Sequence, residues 1–252
     1  MCMQKVDIWF GDSWTIGSEL STNDTPLEHA ERKHYFKQNK HLYPHVNLAQ
    51  NPLKSYPAHV SKHRGAEYMN FASAGGSYQF AYFQMCNWWA TNQYNNNTEY
   101  TFWLQTMPPT RSFGIDNDYV WQHFLGIDDT FDNTKTNPAF SSYEAQSTIN
   151  SIYTFCKMLN IDLRIMPLWT GHNVLPEMNI VPDYVWIAPP NRNMLSDIFG
   201  SNIFADGGIN TKDLTIEEIQ RIICEYEYIQ PNLCHPNEQA HTVIAEYIIK
   251  HT

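Results

Sequence analysis

Charge and cysteine are scarce in this chain, and long apolar runs are missing. Only 17% of its 252 residues are Asp, Glu, Lys or Arg, below the share of about a quarter found in ordinary domains. Acids prevail, giving a net charge of −10, which excludes nucleic acid as a main partner. The five cysteines (Cys2, Cys86, Cys156, Cys224, Cys234) are odd in number and contain no C-x-x-C pair. Neither a disulfide framework nor a structural zinc site is expected. No apolar run reaches the length of a membrane span, and the segment from Met1 to Asp7 lacks the apolar stretch of a signal peptide. The expectation is a soluble, cytoplasmic protein with no membrane partner. Neither G-x-x-x-x-G-K-[ST] nor G-x-G-x-x-G occurs, so the common phosphate-cradling loops are absent and no cofactor is implied.

Aromatic residues, by contrast, reach 14%, which suits either a large aromatic core or an aromatic-walled cleft. Four short apolar runs read as buried strands: 6–10, 67–72, 100–105 and 161–168. Helical spacing follows over 77–90, with Ser77 as N-cap, over 142–159, and over 236–249, where Pro236 fits the first turn. Strands alternating with helices predict an α/β domain with a parallel sheet covered on both faces. A single domain, 1–252, accommodates the whole chain. Two stretches break the alternation. Residues 32–64 hold seven basic residues, five histidines and no acid, which reads as a His-rich insertion with a solvated face or an anion-attracting one. Residues 170–213, rich in Pro, Asn and Gly, read as an irregular excursion of the kind that walls binding sites.

The chemistry gathers at strand ends. Gly11-Asp12-Ser13 closes the first apolar run, so the Ser13 hydroxyl is offered where a buried strand gives way to a turn. His235 precedes Pro236 at the start of the last helix, and a serine hydroxyl becomes a useful nucleophile only when such an imidazole takes its proton. Gly75-Gly76 follows the second strand, where backbone N–H groups without side chains can face an oxyanion, or simply turn the chain. Asp12 is expected to bond backbone beside the nucleophile. Trp14 either walls an acyl pocket or belongs to the core. Arg111, just past Pro108-Pro109, either holds a substrate carboxylate or lies on the surface. His59 and His63 stand four apart, a zinc-ligand spacing, with no third ligand in a recognisable motif.

Taken in order, these blocks resemble the SGNH (GDSL-like) hydrolase family. Gly11-Asp12-Ser13 resembles its nucleophile block, Asn70 with Gly75 its second block, and His235-Pro236 followed by Asn237, Ala240-His241 and Ala245 its last. The resemblance spans nearly the whole chain, though about thirty residues carry it. It implies a flavodoxin-like three-layer α/β/α sandwich and a metal-free serine hydrolase that cleaves an ester through an acyl-enzyme on Ser13. His235 is then the general base, and Ser13 and Gly75 lend N–H groups to the oxyanion hole. The substrate implied is a small-molecule or carbohydrate ester, such as an O-acetyl ester. Two positions depart from the family pattern. Where G-x-N-D is usual the chain reads Leu104-Gln105-Thr106-Met107-Pro108-Pro109, leaving Gln105 or Thr106 as the replacement donor. Three residues before His235 stands Asn232 rather than Asp, so either Asn232 orients the imidazole or an acid elsewhere, such as Asp206, does so. A non-catalytic binding or structural protein on the same fold is the alternative, with a metal-dependent protein using the histidine-rich stretch behind it.

Overall fold

The computed structural model describes residues 3–18, 20, 24–47, 50–74, 76–92, 97–107, 112–115, 121–124, 138–168, 175, 177–190, 192, 194–199 and 235–252. Its centre is a four-stranded parallel sheet of β1 (Gln4–Phe10), β2 (Glu67–Asn70), β3 (Thr98–Gln105) and β6 (Asp162–Met166), in the spatial order β2-β1-β3-β6. A short antiparallel hairpin, β4 (Ser112–Ile115) with β5 (Trp121–Phe124), lies outside it and was not expected. The helices among the described residues are α1 (Pro26–Gln38), α2 (Tyr56–Arg64), α3 (Tyr78–Thr91), α4 (Pro138–Met158), α5 (Met194–Phe199) and α6 (Glu238–Lys250).

Strand alternation sorts the core into two layers. Val6, Ile8 and Phe10 of β1, Phe102 and Leu104 of β3, and Leu163 and Ile165 of β6 pack with Tyr78, Met85 and Trp88 of α3 and Ile149 and Ile152 of α4. From the opposite face Trp9, Trp103 and Met166 meet Tyr56 and Val60 of α2 and Ile244 and Ile248 of α6. Successive strand side chains point to opposite faces, so a strand with helices on both sides must be apolar almost throughout. In-register pairing sets Trp9 beside Trp103, and their rings stack at 4.5 Å with 6° between planes. The result is the expected three-layer α/β/α arrangement.

Polar residues on the α2 side are held in pairs. Asp7 is fully buried, with Arg64 Nε donating to it at 3.3 Å while Arg64 Nη2 donates to Thr101 Oγ1. Burial pushes the Asp7 carboxyl above its ordinary range, against the pull of the guanidinium. The basic stretch 32–64 therefore divides by position. Arg32 is buried on Asp24 and the Gln50 carbonyl, Arg64 lies on Asp7, and Lys54 meets Asp24 and Glu238. Lys33, Lys37, Lys40 and Lys62 face solvent.

Two boundaries differ from the sequence reading. The last helix begins after Asn237, whose side chain accepts from Ala240 N–H at 2.9 Å; Pro236 therefore stands ahead of the cap rather than in the first turn. Part of the excursion 170–213 is ordered against the sheet: Trp186 bridges Ile165 of β6, a 3-10 turn covers Asp183–Val185, and α5 follows. No helix among the described residues is long and apolar enough to cross a membrane.

Candidate active site

The strand order dictates where a site belongs. From β1 the chain first crosses to β2 on one side, then returns to β3 on the other, so the connections leaving β1 and β3 diverge. Crevices at the carboxyl ends of strands form at such reversals. The residues that leave β1 and β3 there are Gly11-Asp12-Ser13 and Thr106-Met107.

Ser13 opens a tight turn in which Ile16 N–H donates to Asp12 O and Ser18 N–H to Ser13 O. It is half-buried, whereas Gly11, Asp12, Trp14 and Thr15 around it are buried. Asp12 does what the sequence led one to expect: its Oδ1 accepts from Trp14 N–H at 3.0 Å, and the carboxylate fastens the turn from within. Trp14 is 1% exposed and packs with Trp9, Tyr56, Trp103 and Met166, which places it in the core.

Gln105 lies beneath this turn rather than at its surface. Its Nε2 donates to Asp12 Oδ1 at 2.8 Å, and its Oε1 accepts from Tyr56 OH at 3.0 Å and from Thr15 Oγ1. Thr15 Oγ1 and Tyr56 OH are themselves 2.9 Å apart. Burial drives the Tyr56 phenol far above its ordinary pKa, so it remains a neutral donor. Thr106 is also buried, and its backbone N–H donates to Met166 O at 2.9 Å, continuing the ladder past the end of β3.

The loop after β2 docks on the same turn. Ser73 N–H donates to Gly11 O at 3.2 Å, and Gly76 N–H donates to Ser73 O at 2.8 Å. A Cβ on Gly76 would lie 2.5 Å from Gly11 O, closer than real Cβ contacts allow, so this approach requires glycine. Asn70 braces the junction: Nδ2 donates to Thr15 O at 2.8 Å and to Tyr68 OH at 2.7 Å, while Oδ1 accepts from Ala72 N–H. Ser77 caps α3 by accepting from Phe80 N–H, as its position predicts.

The network continues to the last helix. Tyr56 N–H donates to His241 Nδ1 at 3.2 Å, and the two rings stack at 5.6 Å. An amide N–H can only donate, so His241 is neutral with its proton on Nε2. Burial, with smaller contributions from His59 and His235, pushes its pKa down to about 3. His235, half-buried just ahead of α6, is therefore within electrostatic reach of His241. Tyr56 thus stands between the base of the Ser13 turn and the neighbourhood of His235, with its hydroxyl bonded to Gln105 at one end and its backbone N–H to His241 at the other. The sequence reading named His241 in the last block but not its pairing with Tyr56, because no local pattern announces a partner 185 residues away.

Gly75, Arg111, Asn232 and Asp206 lie outside the described residues. No group of three His, Cys, Asp or Glu side chains suited to a metal ion occurs among the described residues, those around His59 and His63 included.

No protein-family model matches the sequence, and no curated protein does. Solved structures do. The chain is similar to a member of the lipolytic protein G-D-S-L family from Veillonella parvula, at 13% identity and TM-score 0.43, over 98% of this chain and 97% of that one. It is similar to a putative lipolytic protein of the G-D-S-L family from Desulfitobacterium hafniense, at 10% identity and TM-score 0.44, over 99% of each. It is also similar to a carbohydrate esterase family 2 enzyme with a carbohydrate binding domain from Corynascus thermopiles (Myceliophthora fergusii). There identity is 13% and the TM-score 0.47, over 98% of this chain and 64% of that one.

Proposed function

We propose that the chain is a serine esterase acting on a small acyl ester, with Ser13 as nucleophile and His235 as general base. The observation that carries this reading is the Ser13 turn itself. It sits at the strand-order reversal, is fixed from below by Asp12 and Gln105 and from the side by Gly76, and leaves the serine as its accessible residue.

In the proposed reaction, Ser13 Oγ attacks the ester carbonyl as its proton passes to His235. The tetrahedral oxyanion is met by the N–H groups of Ser13 and Gly75. Collapse expels the alcohol, which takes the proton from His235. Water, deprotonated by His235, then attacks the acyl-enzyme; the carboxylic acid leaves and Ser13 regains its hydrogen. Asn232 is the residue we assign to orient the imidazole through its side-chain carbonyl. In that role it supplies no negative charge, a known handicap for a serine–histidine pair.

The test is to treat the protein with a serine-directed fluorophosphonate and with a chromogenic acetate ester, beside Ser13→Ala and His235→Ala. Ser13→Ala should lose both labelling and turnover, and His235→Ala should slow both by about a hundredfold or more. Labelling or turnover that persists in Ser13→Ala removes Ser13 as the nucleophile, and absence of both from the parent leaves a non-catalytic protein on this fold as the reading that survives.

A further inference from the structure

A cavity of about 580 Å³ opens at the opposite end of the sheet from Ser13. It is bordered by Met3 ahead of β1, by Glu99 and Tyr100 at the start of β3, by Asp162 at the start of β6, and by Tyr153 and Lys157 near the end of α4. Seven residues of β1 separate the two ends, about 20 Å at roughly 3.3 Å per residue. The volume lies within the range of about 300–1,000 Å³ typical of small-ligand pockets.

Three tyrosines define its character. Tyr100 and Tyr153 are half-buried, while Tyr184 is 72% exposed and yet held in place. Its backbone belongs to the 3-10 turn Asp183–Val185, and Arg164 Nη1 donates to its carbonyl at 3.1 Å. An exposed ring carried on a backbone anchored in this way offers a flat apolar surface at the cavity mouth. At the rim Asn160 takes the left-handed conformation (φ 54°) that ends α4.

The charges select the ligand class. Asp162 is answered by Arg164, whose Nε donates to it at 3.0 Å. Arg164 stands behind the wall rather than on it; of the remaining wall residues Glu99 and Lys157 carry opposite charges, and Lys157 Nζ lies 5.8 Å from the Tyr153 ring centroid. With the charges balanced, an anion or a cation gains no net attraction. A neutral ligand with apolar faces and many hydroxyls gains on both counts. Ring faces take its C–H surface, while Asn160, Glu99, Lys157 and the phenols supply donors and acceptors at its edge.

We propose that this cavity is a saccharide-binding site, separate from the Ser13 site and able to hold a neutral sugar chain while an ester is processed about 20 Å away. Binding here does not depend on the chemistry assigned to Ser13, so the two readings fail separately.

The experiment is calorimetric titration of the whole chain with xylohexaose, cellohexaose and mannohexaose, and with adenosine as a flat non-sugar probe. At least one hexasaccharide should bind. Tyr184→Ala should weaken it about tenfold and Tyr184→Phe far less, since the ring face carries the contact. Tyr184 is exposed, so Tyr184→Ala should retain its melting temperature and its Ser13-dependent fluorophosphonate labelling. Absence of binding by all three sugars at millimolar concentration, sugar binding untouched by Tyr184→Ala, or binding of adenosine in their place would each overturn the proposal.

Discussion

Replacing Gln105 by Glu changes one amide nitrogen to oxygen and little else in shape. The carboxyl still offers an acceptor to Thr15 and Tyr56. It no longer donates to Asp12 Oδ1, 2.8 Å from the original nitrogen, and both side chains are fully buried. Losing a hydrogen bond to a charged group costs about 1.5–3 kcal/mol. At a chain length near 250 residues that is a fall of about 4–8 °C in melting temperature for 2 kcal/mol. The pH dependence makes the prediction sharper. Two carboxyls in contact cannot both ionise, so they share a proton and the folded-state pKa of the pair rises above the unfolded value of about 4.3. A raised folded pKa means stability that is present below the unfolded pKa and lost as pH rises. Gln105→Glu should therefore melt near the parent at about pH 4 and well below it at about pH 7.5. Each unit of elevation adds about 1.4 kcal/mol to the gap. Scanning calorimetry of both proteins across this range reads the difference directly, and acid effects common to both cancel. If Gln105 were instead an oxyanion donor, the variant would lose about 10²–10³ in rate with no pH-dependent gap in melting temperature. That pattern would refute its assignment as the brace beneath the Ser13 turn.

Three further outcomes follow from the same geometry. His241 has a folded-state pKa of about 3 against about 6.5 unfolded, so its neutral burial contributes stability that is full above about pH 6.5 and falls as pH drops. His241→Asn keeps an acceptor for Tyr56 N–H and removes the titration; its melting temperature should lose less between about pH 7.5 and pH 5 than the parent's, by about 2 kcal/mol or 4–8 °C. Equal losses would show that His241 is not buried neutral. Gly76→Ala sets a Cβ 2.5 Å from Gly11 O, so the loop must retreat from the nucleophile turn. Fluorophosphonate labelling of Ser13 should then slow at least about tenfold while far-ultraviolet circular dichroism is unchanged. Arg64→Met leaves Asp7 buried without its cation and should cost about 3–5 kcal/mol. Adding Asp7→Asn should restore part of that in urea denaturation, and a double variant as unstable as the single one would contradict the pairing.

The sheet was legible because it is covered on both sides. A strand such as Val6-Asp7-Ile8-Trp9-Phe10 must be apolar on each face, and such runs stand out in a chain with little charge. α1 was missed because it buries little: only Arg32 and Phe36 of its thirteen residues are buried, so its apolar periodicity is faint. The available signal was the capping box, Thr25 accepting from Glu28 N–H while Glu28 reaches back to Thr25 N–H. The position of Ser13 could be read from its strand-end setting, since a turn is local. The setting of Gln105 could not, because Asp12 and Tyr56 are 93 and 49 residues away and meet it only through the parallel register. Local composition suggests an amide that could donate to substrate. Tertiary packing spends its nitrogen on Asp12.

The same packing explains why Gly11, not only Ser13, belongs to the site. A Cβ on Gly11 would overlap Thr15 Oγ1 and stand 3.0 Å from Gln105 Cβ, so the space a side chain would need is filled by the two residues that brace the turn. The requirement for glycine and the requirement for a buried amide are therefore one condition. The chain leaving β1 must press against the end of β3, and only there can Gln105 reach Asp12 while Asp12 holds Trp14 N–H. Once Gly11, Asp12, Trp14 and Thr15 are all turned inward, Ser13 is the residue left facing outward. Its exposure is thus enforced by its neighbours' burial, so a substitution that loosens Gly11 or Gln105 should disturb Ser13 more than one placed on Ser13's solvent side.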